Sequence, residues 1–236
     1  MNKRLDPLTA SMRIIEKYFP DCHGAILSGS AARGEVTETS DLDIIVFDDR
    51  LQHSYRESFI DFGWPIEVFV HNLTSYQIYF ERDCRDGRAS LPRMIAEGTV
   101  LKDMGALMKI QEEAKALLMT GPEVWTQDTI TYKRYFITDL LDDLIGSQNR
   151  GERIFIAGSL AERLSEFVLR TNRQWTGSSK WMIRSLSQYD KELADGFMEA
   201  FDYFYKTDDT KPIERAAASI LEPYGGRLFE GFSLGK

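Results

Sequence analysis

Residues 25–47 constrain the fold of this chain more than any other stretch. An apolar run, Ala25-Ile26-Leu27, leads into a small-residue turn, Gly29-Ser30-Ala31-Ala32-Arg33-Gly34; a polar connector then reaches Ser40-Asp41-Leu42-Asp43 and a second apolar run, Ile44-Ile45-Val46-Phe47. In an extended strand alternate side chains share a face, so Asp41 and Asp43 point one way while Leu42, Ile44 and Val46 point the other. Unit charges about 4 Å apart repel by roughly 4 kcal/mol at an effective dielectric near 20. A fold that fixes such a pair therefore supplies a counter-charge, and a divalent metal meets that need. Upstream, the turn offers backbone N–H groups of the kind that cradle phosphates, and Arg33 adds a charge-assisted donor. Metal together with phosphate points to nucleotide chemistry.

The order of these features (strand, Gly29-Ser30, Arg33-Gly34, polar connector, Asp41-x-Asp43, strand) resembles the nucleotidyltransferase superfamily that includes DNA polymerase beta. Within it, the chain is similar to the small bacterial enzymes that adenylylate aminoglycosides and other antibiotics and carry a C-terminal helical domain. The family pattern has a third carboxylate on a later strand, and Glu67 stands there, within Pro65-Ile66-Glu67-Val68-Phe69-Val70. A single charge inside an apolar strand must offset its desolvation, unless that strand face is exposed, which is the other reading of Glu67. The resemblance implies that Asp41 and Asp43 ligate two Mg²⁺ ions, with Glu67 either completing the shell or serving as general base. It also implies that Gly29 and Ser30 hold a nucleoside triphosphate, glycine permitting close approach of the phosphates, with Arg33 and Ser40 assisting. Two plainer readings stand beside these: Arg33 as a loop arginine paired with Glu35 or Glu38, and Ser40 as a turn hydroxyl.

Composition narrows the partners. The chain has 236 residues, 43% of them hydrophobic and 12% aromatic, enough for a packed core. With 29 Lys plus Arg against 37 Asp plus Glu, its formal charge of -8 opposes binding to nucleic acid or anionic lipid and suits a cationic substrate. No apolar run approaches the roughly 20 residues that span a bilayer, and the first six residues lead into no signal-peptide core. A cytoplasmic location is the expectation. Cys22 and Cys84 form no metal-ligand pattern and are expected to be reduced, and His23, His53 and His71 form no cluster.

Hydrophobic spacing predicts an α+β architecture: a small mixed-sheet domain followed by an all-α helical bundle. A first helix is expected from Pro7 to Phe19, with apolar positions Leu8, Met12, Ile15 and Phe19. Strands follow at about 24–29, 42–48 and 65–71, with a helical stretch around 54–62 between the second and third. Residues 74–96 read as a longer helix broken near Asp86-Gly87, and 98–102 as a short edge strand. Beyond about residue 106 only helical spacing remains, over 107–119, 124–147, 153–171, 180–186, 192–205 and 212–221. The expected domains are 1–105 for the nucleotidyltransferase part and 106–236 for a helical substrate-binding part, with a connecting helix at about 106–120 and the boundary after that helix expected near the turn signal Gly121-Pro122.

Acceptor specificity is expected in the helical part. Asp139, Asp142 and Asp143 share one region of a helix, where like charges at i, i+4 destabilise each other. Lys133, Arg134 or a cationic substrate would offset them, and a solvated acidic face is the plain alternative. Lys180, at a helix start and one turn before Arg184, is a candidate triphosphate ligand by resemblance or else an ordinary surface residue; Trp125, Trp175 and Trp181 read as core or interface. The leading expectation is therefore transfer of a nucleoside monophosphate, AMP from ATP, to a hydroxyl of a small, cationic, antibiotic-like molecule with release of pyrophosphate. Alternatives are adenylylation of a protein, as in toxin–antitoxin pairs, and a non-catalytic nucleotide-binding module; the fused helical region and the three acids speak against each in turn. A homodimer is compatible with this reading, although no residue demands it.

Overall fold

In the computed structural model, residues 4–235 are described; the first three residues of the amino-terminal run read for a leader lie outside them. The chain divides into two compact units, Met1–Gly121 and Pro122–Lys236.

The first unit is built on one five-stranded mixed sheet. Helix α1 (Pro7–Tyr18) begins at Asp6, whose side chain accepts from Thr9 N, with Pro7 in the first turn where its missing N–H costs nothing. Strand β1 (Gly24–Ser28), the single helical turn α2 (Gly29–Ala32) and strand β2 (Leu42–Phe47) follow. Next come β3 (Tyr55–Asp61), β4 (Trp64–His71), the helices α3 (Tyr76–Asp86) and α4 (Ser90–Glu97), strand β5 (Thr99–Asp103) and helix α5 (Leu107–Thr120). The strand order is β3-β4-β2-β1-β5, with β2 and β4 parallel and every other pair antiparallel.

Both faces of the sheet are covered, which is why β1 and β2 are apolar runs rather than alternating ones. Leu42, Ile44, Val46, Ile66 and Val68 pack with Ala10, Ile14 and Ile15 of α1 on one face. On the other, Ile26, Ile45 and Phe47 pack with Tyr76, Phe80, Leu91, Ile95, Leu107 and Ile110. Helix α5 therefore belongs to the first unit's core. Gly87, left-handed at φ 73, separates α3 from α4 and accounts for the expected break.

Two local expectations are corrected. Residues 54–62 are not helical: Tyr55–Asp61 is the edge strand β3, joined to β4 by a two-residue loop, Phe62-Gly63, with φ 48 and 82. Tyr55, Phe59 and Phe62 imitate helical spacing, but the two left-handed residues make a hairpin turn whose twist suits antiparallel strands. Lys17 and Tyr18 of α1 anchor it by donating to Asp61 Oδ2 at 2.7 and 2.9 Å. On α1 itself, Leu8 and Met12 are each 46% exposed, while Ala10, Ser11, Ile14 and Ile15 are buried. The small Ala10 and Ser11 let the helix approach the sheet closely.

The second unit is all helical: α6 (Gln127–Gly146), α7 (Arg150–Thr171), α8 (Lys180–Tyr189), α9 (Lys191–Thr207) and α10 (Lys211–Leu221), with a short 3₁₀ turn at Glu222–Tyr224. Caps set the starts, Thr126 accepting from Thr129 N, Asn149 from Gly151 N and Asp190 from Leu193 N. Leu144, Leu160, Leu164, Phe167, Phe204 and Ile213 form its core. Among the described residues no helix is long and apolar enough to cross a membrane.

Candidate active site

Strand pairing builds the site. Asp43 on β2 lies directly opposite Glu67 on the parallel strand β4, and on its other side opposite Ser28 at the end of β1. Asp41 stands just before β2 and so joins Asp43 on one side of the sheet. The three half-buried carboxylates each offer an oxygen, and these lie within 4.8 Å of one another; among the described residues no other three metal-ligating side chains converge in this way.

Gly29 follows β1 immediately and lies against Asp43. Its φ is +68, and a Cβ built there would stand 2.2 Å from Asp43 Oδ2. Both backbone and space thus demand glycine at this position. The residues fit a hard divalent cation: the donors are all carboxylate oxygens, and three negative charges this close need a positive partner.

The connector between α2 and β2 is tied from three sides. Ser40 Oγ accepts from Thr37 N at 2.9 Å, and Ser30 Oγ donates to Ser40 Oγ at 3.3 Å. Arg4 donates from Nη1 to the carbonyls of Thr37 and Glu38, both at 3.2 Å, and from Nη2 to that of Ser40. Its guanidinium lies 3.4 Å from the centroid of the Trp64 ring, and the Trp64 indole donates to Leu5 O at 2.8 Å. Arg33 Nε donates to Glu35 Oε2 at 3.0 Å.

A second cation stands at the acids themselves. Arg56, on β3, donates from Nη2 to Glu67 Oε2, and that bond raises the guanidinium's pKa above its ordinary value. Neither Arg4 nor Arg56 was identified from the sequence. Arg4 carries no local signal, being more than thirty residues from the loop it holds, and Arg56 was concealed by the helical reading of its strand.

The remaining candidates lie in the second unit. Asp139, Asp142 and Asp143 are exposed on α6. Lys133 and Arg134 do not neutralise them: Lys133 Nζ pairs with Glu166 at 2.7 Å, and Arg134 donates to the carbonyls of Gly225 and Gly226. Arg227 instead binds Asp142. Asp142 and Asp143 join Glu152, Phe155 and Ile156 around an open cavity of about 630 Å³. Lys180 is exposed at the start of α8, and Arg184 covers Trp181 at 5.1 Å from its ring centroid. Trp175 is buried, and Trp125 packs on the helical core.

Residues 13–89 match the family model of the nucleotidyltransferase domain. That span includes Gly29, Ser30, Asp41, Asp43 and Glu67. A search of curated proteins finds no match. Among solved structures, the chain is similar to the crystal structure of a nucleotidyltransferase-like protein from Exiguobacterium sibiricum 255-15, with 12% identity over 92% of this chain and 73% of that one and a TM-score of 0.46.

Proposed function

We propose that this chain, which carries a nucleotidyltransferase domain at residues 13–89, moves AMP from ATP to a hydroxyl of a small cationic molecule of the aminoglycoside type and releases pyrophosphate. What supports the reading most is the convergence of Asp41, Asp43 and Glu67 within 4.8 Å beside a glycine that admits no side chain.

In this reaction the acceptor hydroxyl gives up its proton, to water or to Glu67 acting as general base, as its oxygen forms a bond to the α-phosphorus and the bond to pyrophosphate breaks, so negative charge is carried by both the attacking and the leaving oxygen. Bound divalent cations, Mg²⁺ in this reading, would supply electrostatic stabilisation of that charge. Asp41, Asp43 and Glu67 are assigned as the ligand set because their oxygens already share one small volume. Gly29 and Ser30 are assigned to the triphosphate, since a main chain without a side chain lets phosphate oxygens come close. Ser40 holds the connector against Ser30, and Arg33 lies at the same turn with Glu35 as its present partner. Asp139, Asp142 and Asp143 are assigned to the cationic acceptor and Lys180 to the triphosphate tail, on charge complementarity.

Pyrophosphate release, followed with Mg-ATP over a panel of hydroxyl acceptors rich in amines, tests this reading. A parallel reaction with α-³²P-ATP, resolved on a gel, reports label on protein. Acceptor-dependent release with label on the small molecule is the expected result; label on a protein alone, or no release with any acceptor, refutes the small-molecule assignment.

A further inference from the structure

Arg56 reaches the acids from outside the motif that announces them. In the antiparallel pairing of β3 with β4, Ser58 lies opposite Glu67 and Arg56 opposite Phe69. Arg56 is thus diagonal to Glu67 on one face of the hairpin, a separation that long side chains bridge. Its Nη2 binds Glu67 Oε2, and its Cζ lies 4.8 Å from the centroid of the Phe69 ring. The charges of Asp43 and Asp41 also act on this guanidinium. The Arg56 side chain is 57% exposed against 27% for Glu67, so the cation can leave toward water at little cost while the carboxylate stays in place.

The lone pairs of Glu67 are the resource in question. A carboxylate oxygen that accepts from a guanidinium is a weaker donor to a divalent ion, and two cations close together repel. We infer that Arg56 is a built-in counter-cation of the acid trio, offsetting one of its three charges in the metal-free protein and yielding Glu67 when a divalent ion enters, so that it raises the ion concentration at which the site fills. This rests on the reading of the trio as a metal site. Arg56 is then a positioning residue whose effect on metal affinity is negative. A residue that merely oriented Glu67 for the ion would have the opposite sign.

Mn²⁺ titrated into the full chain, with the free ion followed by electron paramagnetic resonance, separates these cases. Arg56→Gln is expected to bind Mn²⁺ about threefold to tenfold more tightly than wild type, from relief of cation–cation repulsion. Arg56→Lys is expected to stay near wild type, since it keeps the charge. Circular dichroism melts in EDTA verify that each variant is folded, which the exposure of Arg56 favours. Equal or weaker affinity in Arg56→Gln overturns the inference and leaves the metal site standing. Binding in none of the proteins, wild type included, overturns the metal site and this inference with it.

Discussion

Replacing Gly29 by alanine tests the union of turn and acids at one atom. The backbone there has φ +68, where an L residue costs about 1–2 kcal/mol relative to glycine. The new methyl carbon would also stand 2.2 Å from Asp43 Oδ2 and 3.2 Å from Asp43 Cγ. Ordinary contact lies near 3.5 Å, so the carboxylate must move by about 1 Å or the turn must open. Gly34 supplies the control, because its φ is +72 and a Cβ built there meets nothing within 4 Å. Gly34→Ala should therefore cost only the backbone strain, about 1–2 kcal/mol, and leave the acids undisturbed. Gly29→Ala should cost about 2–4 kcal/mol, adding the displaced or strained carboxylate to the same backbone strain. For a unit of this size that difference appears as a fall in midpoint of roughly 3–5 °C per kcal/mol in thermal melts. Mn²⁺ binding should weaken at least about tenfold in Gly29→Ala and stay within about twofold of wild type in Gly34→Ala, since a 1 Å misplacement of a functional group can cost about a hundredfold in rate. The reasoning is wrong if Gly29→Ala binds Mn²⁺ like wild type, or if both alanine variants lose it alike.

Other expectations follow from single contacts. Asp43→Asn should keep the melting midpoint within a few degrees and lower turnover in the pyrophosphate assay by about a thousandfold or more, each 1.36 kcal/mol of lost stabilisation being about tenfold; a loss below about tenfold would place the chemistry elsewhere. Arg4→Ala removes the donors to Thr37, Glu38 and Ser40 and the cation over Trp64. It should cost about 2 kcal/mol in urea denaturation and speed amide hydrogen exchange over residues 35–41; unchanged exchange there would show that the clamp does not order the connector. His71 is buried between the Phe47 and Tyr79 rings, and burial pushes its pKa down to about 4. The unfolded chain takes the proton near pH 6.5, so His71's share of stability is full above that value and is lost as pH falls from about 6.5 toward 4, with a slope of about 1 kcal/mol per pH unit. Urea titrations at pH 7.5, 5.5 and 4.5 should give a shallower slope for His71→Gln, and identical slopes would refute the assignment.

The sequence alone determined whatever depends on a short period along the chain. Alternation in an extended segment put Asp41 and Asp43 on one side, apolar runs marked β1 and β2 as strands, and Gly87 broke the helix of residues 74–96. The step from strands to helices near residue 106 likewise gave the α+β order. Tertiary structure decided everything that joins distant positions. The parallel register of β2 with β4 set Glu67 opposite Asp43, the hairpin at Phe62-Gly63 carried Arg56 to Glu67, and the amino-terminal Arg4 reached the carbonyls at 37–40. Local spacing could not choose the strand state of 55–61, because its aromatic residues satisfy a helical period and only pairing with β4 settles the matter. It fixed the buried face of α1 only in part: Ile15 and Phe19 are buried as expected, whereas Leu8 and Met12 are exposed, since burial depends on how closely the helix meets a sheet whose strands lie elsewhere in the chain. Periodicity acts through neighbours a few residues apart, whereas a site of converging charges depends on which strands pair and in what register, and that is fixed only when the whole core packs.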